Sequence, residues 1–140
     1  MADLLWAFIC RKADVKDDGD LDAYGILDRL SMDAFPTDLT PLVLVANWRA
    51  DRAEALPARI RHYIDGTPIA QFELPLAPKT WRPRTGYWTA GMLFDVSSKA
   101  VEKPCQMDFE ILEGNRRVGM VPLEVGYPLI GPVITIEHIR

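Results

Sequence analysis

The feature that most constrains this chain is the two-residue alternation on either side of Asp65-Gly66. Over residues 58–64, Ala58, Ile60, His62 and Ile64 alternate with Arg59, Arg61 and Tyr63. Over residues 68–76, Ala70, Phe72 and Leu74 alternate with Ile69, Gln71 and Glu73. A period of two places all the apolar side chains on one face of a strand. Asp-Gly between two such runs supplies the positive φ that a two-residue hairpin turn demands. The pattern therefore predicts a β-hairpin with one buried face. A second stretch has the same design: residues 105–112, a turn at Gly114-Asn115, and a return over 118–125. Both returns contain a proline followed by leucine, Pro75-Leu76 and Pro122-Leu123. Two copies are too few for a repeat array, so the chain is read as holding two equivalent hairpins.

The rest of the sequence is also strand-like. In residues 41–49, Leu42, Leu44, Ala46 and Trp48 share one face, and Val43 and Val45 begin the other, which ends in Asn47 and Arg49. Residues 4–10 (LLWAFIC) are apolar on both faces, which predicts a strand covered on both sides. Residues 21–30 are similar but are interrupted by Gly25, the mark of a bulge or a close backbone approach. Trp88 is in phase with Ala90, Met92, Phe94 and Val96. A last strand is expected over 133–139, with Ile134 and Ile136 on one face. Only residues 47–56 have helix-forming composition, closed by Pro57, which cannot continue a helix. They predict one short helical turn near 48–56. The sum is eight or nine short strands, an all-β antiparallel sandwich (immunoglobulin-like or C2-like) spanning 1–140 as one domain, with a barrel as the alternative.

Charge narrows the partners. The formal net charge of −4 is a poor match for nucleic acid, which needs a basic field. Cys10 and Cys105 lie in apolar runs without metal-binding spacing, and read as buried free thiols. The amino terminus carries Asp3 where a secretion signal has positive charge. No stretch approaches the length of a membrane-spanning helix. A cytoplasmic protein is expected.

Three groups of residues bear on chemistry. The acidic loop over 14–22 carries Asp17, Asp18 and Asp20 among its aspartates, and calcium favours clustered oxygen ligands. The spacing is not that of an EF-hand, and Asp-Asp-Gly-Asp is ordinary turn chemistry, so the loop is read as a turn with metal binding as the alternative. Trp81, Arg82, Arg84 and Tyr87 have the composition of a contact hot spot, although Arg over an aromatic ring can also hold a loop on its own domain. His62 falls on an apolar face. Ser31, Ser97 and Ser98 lie outside any nucleophile elbow, and no phosphate-binding glycine motif occurs.

LLWAFIC, an acidic turn ending in Gly19, LDAYGILDRL, Phe35-Pro36 and VPLEV at 121–125 together resemble an uncharacterised family of small bacterial proteins. The resemblance covers most of the chain, and its motifs are structural patterns rather than chemistry. It implies a bacterial single-domain β-sandwich and transfers no activity, ligand or cofactor. The chain departs from the family's usual pattern in its Trp/Arg-rich loop at 81–88.

The functional expectation is a non-enzymatic protein that acts by binding another protein or a second copy of itself, with no cofactor. The alternative is a module that binds calcium, carbohydrate or lipid head groups through the 14–22 loop. A hydrolase assembled from scattered residues is the third reading.

Overall fold

A computed structural model describes residues 2–16 and 20–129. The expected strand over 133–139 and His138 lie outside the described residues. Among the described residues, twelve strands run in chain order: β1 (Ala2–Val15), β2 (Leu21–Leu27), β3 (Arg29–Ser31), β4 (Thr37–Leu39), β5 (Val43–Ala50), β6 (Leu56–Ile64), β7 (Thr67–Leu76), β8 (Thr80–Arg82), β9 (Tyr87–Asp95), β10 (Ser98–Val101), β11 (Cys105–Glu113) and β12 (Arg116–Gly126). The number exceeds eight or nine because β3, β4, β8 and β10 are only three or four residues long. At that length a period of two is invisible.

Sheet I has the order β2-β1-β5-β9-β8 and sheet II the order β3-β12-β11-β6-β7; β10 and β4 form a small separate ladder. Neighbours are antiparallel except β12 and β3, which pair in parallel. One continuous core joins the sheets. It takes Ile9, Leu44, Ala46, Trp48, Ala90 and Met92 from sheet I, and Ile60, Met107, Phe109, Ile111 and Leu123 from sheet II. The architecture is the expected β-sandwich.

The two predicted hairpins are β6–β7 and β11–β12, and they are neighbours. β6 pairs with β11 in register from Glu113↔Ala58 to Met107↔Ile64. The first turn is at Asp65-Gly66, where φ is +49° and +79°, both positive as the residue pair predicts. Both prolines sit where a ladder tolerates a missing N–H. Pro75 is on the edge strand β7, and Pro122 lies on β12 short of the segment that pairs with β3, which begins at Glu124.

Residues near 48–56 form no helical turn. β5 continues through Ala50, its ladder held on both sides by Ala2↔Ala50 and Ala50↔Trp88, and a bent connection leads straight to β6 at Leu56. Two-sided pairing overrides the modest helical preference of an Ala- and Arg-rich segment. Among the described residues, no helix is long and apolar enough to cross a membrane.

Trp48 shows how the alternation of β5 is used. Its side chain is fully buried between the sheets, while Asn47 and Arg49 beside it face outward as their phase predicts. Its indole N–H finds no acceptor, so its contribution rests on apolar packing. Replacing Trp48 with Ala should cost about 3–5 kcal/mol of stability. Urea denaturation of variant and parent at equal slope would measure this, and a loss below about 1 kcal/mol would mean that the core does not centre on this residue.

Candidate functional site

The two outer faces of the sandwich differ in chemistry. On sheet II, Glu110 is buried under its neighbours. Its Oε1 accepts from Arg61 Nη1 at 3.2 Å and from the Tyr63 hydroxyl at 3.0 Å, and its Oε2 accepts from Arg117 Nε at 2.6 Å. Burial pushes its carboxyl pKa up, but the bonds from Arg117 and Tyr63 and the two guanidinium charges outweigh burial and hold it below the ordinary value. Arg59 adds bonds to the Gly114 carbonyl and to Asn115. The central polar groups of this face are internally satisfied, while Met120 and Ile69 on the strands of sheet II are exposed.

The outer face of sheet I is apolar. Trp6 and Phe8, two residues apart on β1, stack at 5.3 Å with their planes 17° apart. Across the ladder, Trp6 faces Asn47, which faces Gly91; Phe8 faces Val45, which faces Leu93. Trp6 is 39% and Leu93 46% exposed. Strand β1 is thus not covered on both sides as expected, since Leu5 and Trp6 remain exposed. The expectation fails on β2 as well, where Tyr24 and Ile26 are more than half exposed.

A cleft of about 560 Å³ opens on this face. Its apolar part is formed by Trp6, Val45 and Leu93 of sheet I and by Leu76 at the end of β7 in sheet II. Gly91 lies among them, and a Cβ there would meet open space. Val15 and Leu21 contribute from the far end of the β1–β2 ribbon. That ribbon leaves β5 after Cys10↔Val43, beside Gly25. Gly25 has φ +65°, and a Cβ on it would lie 2.9 Å from Arg11 Cγ, so this is the close approach its sequence position predicted. The polar part of the cleft holds Lys79, Thr80, Arg82 and Thr89. Thr89 Oγ1 donates to the Thr80 carbonyl at 3.3 Å, and the Lys79 N–H donates to the Thr89 carbonyl at 3.1 Å.

The sequence-predicted contact group divides between two faces. Arg82 enters the cleft. Trp81, its neighbour on β8, falls on the opposite face, 5.6 Å from Trp88 across the strand pair. Trp88 packs against the core, as its phase predicted. Tyr87 lies under the guanidinium of Arg49, 5.5 Å from the ring centre, and Arg49 in turn bonds Asp3 at 2.6 Å. Arg84 is exposed in the turn over 83–86, closed by the Gly86 N–H donating to the Arg82 carbonyl.

Asp17 and Asp18 lie outside the described residues. Of the aspartates beside them, Asp14 is 3.7 Å from Lys12 and Asp22 is 3.2 Å from Lys16, while the Asp20 carbonyl accepts from the Lys16 N–H. Among the described residues, no group of three His, Cys, Asp or Glu side chains is placed to hold a metal ion. Cys10 and Cys105 are buried free thiols, and burial raises the pKa of both.

His62 is a core residue. It stacks on Phe109 at 4.3 Å, and its Nε2 has no partner. Burial lowers its pKa, so the folded state favours neutral imidazole. The unfolded chain therefore takes up this proton first as pH falls below about 6.5, and stability drops through that window until the depressed folded pKa is passed. His62→Phe should flatten the fall in melting temperature between pH 7.5 and 5.5, whatever it does to the absolute value. A variant that keeps the parent's full slope would exclude His62 as its source.

Sequence reasoning missed the cleft because its walls come from strands far apart in the chain. The one local signal was Gly91 inside an otherwise apolar strand pattern.

A family model described as a family of unknown function (DUF6941) matches residues 5–126. No curated protein matches the chain. Among solved structures, the CARDB domain of the PF1109 protein from Pyrococcus furiosus, crystallised in complex with di-metal ions, is similar at a TM-score of 0.42. The identity is 11%, covering 88% of this chain and 94% of that one.

Proposed function

The chain belongs to DUF6941, a family of unknown function, and we propose that this member acts by binding a protein partner through the cleft on sheet I. The observation that carries the reading is the contrast between the two outer faces. Sheet II closes its polar groups on one another around Glu110. Sheet I leaves Trp6 and Leu93 exposed around a concave apolar opening. Apolar side chains grouped on one face, with polar residues at its rim, are the usual mark of an interaction site. The groups best suited to covalent or acid–base chemistry, His62, Cys10 and Cys105, are buried away from it.

Gly91 offers a clean block. Its φ lies outside the left-handed region and its Cβ direction is open, so Gly91→Phe should fill the cleft without straining the backbone. A photo-crosslinking residue at position 93, irradiated in the cells that make the protein, should give adducts of defined mass. Gly91→Phe should remove them, and the same residue at Met120, exposed on sheet II, should not form them. An adduct of twice the chain's mass would identify the partner as a second copy. Equal labelling at 93 and 120, or adducts indifferent to Gly91→Phe, would overturn the reading.

A further inference from the structure

Resting on the cleft as a protein-binding site, we infer that the segment it receives is acidic as well as apolar: an exposed peptide with a carboxylate beside a bulky hydrophobic side chain. Three observations converge on this. Lys79 and Arg82 are among the residues that line the cleft, and no aspartate or glutamate is. Neither cation has a salt bridge or a side-chain hydrogen bond among the described residues. The other arginines of the sheets are served: Arg49 by Asp3, Arg61 and Arg117 by Glu110, and Arg116 by Glu113. The chain also has more acids than bases, 20 against 16. Two neighbouring cations without an acid therefore run against its own charge balance.

The geometry gives each part of the ligand a place. Arg82 is half-buried and reaches the cleft from the same face of β8 as Thr80. A guanidinium in that setting pairs with a carboxylate through two parallel hydrogen bonds, and partial burial strengthens them over a fully exposed pair. Lys79, exposed at the rim, adds a second positive charge that attracts acids at longer range. The apolar part offers an aromatic ring, Trp6, and the side chains of Val45, Leu76 and Leu93. A volume of about 560 Å³ accepts one or two bulky side chains but no folded surface. The occupant that fits is thus a protruding or extended segment, and the cations select which segment.

The test is selection of random linear peptides on the immobilised full chain, followed by fluorescence polarisation with the enriched sequences. The expected peptides carry Asp or Glu next to Leu, Phe or Trp. They should lose at least about tenfold in affinity for Arg82→Glu and for the milder Arg82→Gln, a change of about 1.4 kcal/mol. They should fail to bind Gly91→Phe. Melting curves of each variant establish that it is folded before binding is compared. Peptides that Gly91→Phe blocks but that lack acids, and that ignore both Arg82 substitutions, would overturn this inference and leave the cleft as a protein site. Enrichment of nothing, or only of peptides that Gly91→Phe does not affect, would overturn the cleft reading as well.

Discussion

The antiparallel seam between β6 and β11 is the constraint on which the rest of this sandwich depends. It joins two hairpins that are each local in sequence into the four central and edge strands of sheet II. Arg61 and Glu110 are register partners at its middle. One face of the seam is the core, where Ile60, Phe109 and Ile111 are fully buried. The other face carries the Glu110 cluster. A one-residue slip would exchange these faces and drive Arg61 and Glu110 into the apolar interior. The buried carboxylate and its three donors make that alternative costly, because a carboxylate removed from its partners would be left desolvated.

The same seam explains why the two outer faces differ. Sheet II must hold its polar ladder closed to keep Glu110 ionised, so Arg61, Tyr63 and Arg117 are already engaged and offer little to a ligand. Sheet I has no such obligation. Its register is fixed from within by Ile9, Leu44, Trp48 and Met92 on the core side, which leaves its outer side chains free to vary in size. Gly91 and Asn47 are small beside Trp6 and Leu93, and the cleft lies where this unevenness falls across three neighbouring strands.

Period-two alternation made much of this fold legible in the sequence. The phases of β5 and β6, the Asp65-Gly66 turn and the inward direction of Trp88 follow from local residues alone, because a strand's faces are set by geometry and not by its neighbours. Non-local pairing was not legible. Residues near 48–56 looked helical because the ladders on both sides of β5 lie far away in the chain. The run at 4–10 looked covered on both sides because its apolar content reflects one core face and one cleft face. The Trp81–Tyr87 group looked like a single patch by composition, yet Trp81 and Arg82 are adjacent on a strand and must point to opposite faces.

That last point separates the two faces of β8. Trp81 turns toward Trp88 on the opposite face, and its ring stays 46% exposed. Arg82 turns the other way, into the polar part of the cleft, half-buried and without a carboxylate partner among the described residues. A cation that served stability would be expected to find one, as Arg49, Arg61 and Arg117 do. A carboxylate brought from outside would meet this guanidinium unpaired, and the pair would strengthen as the cleft fills and water is excluded.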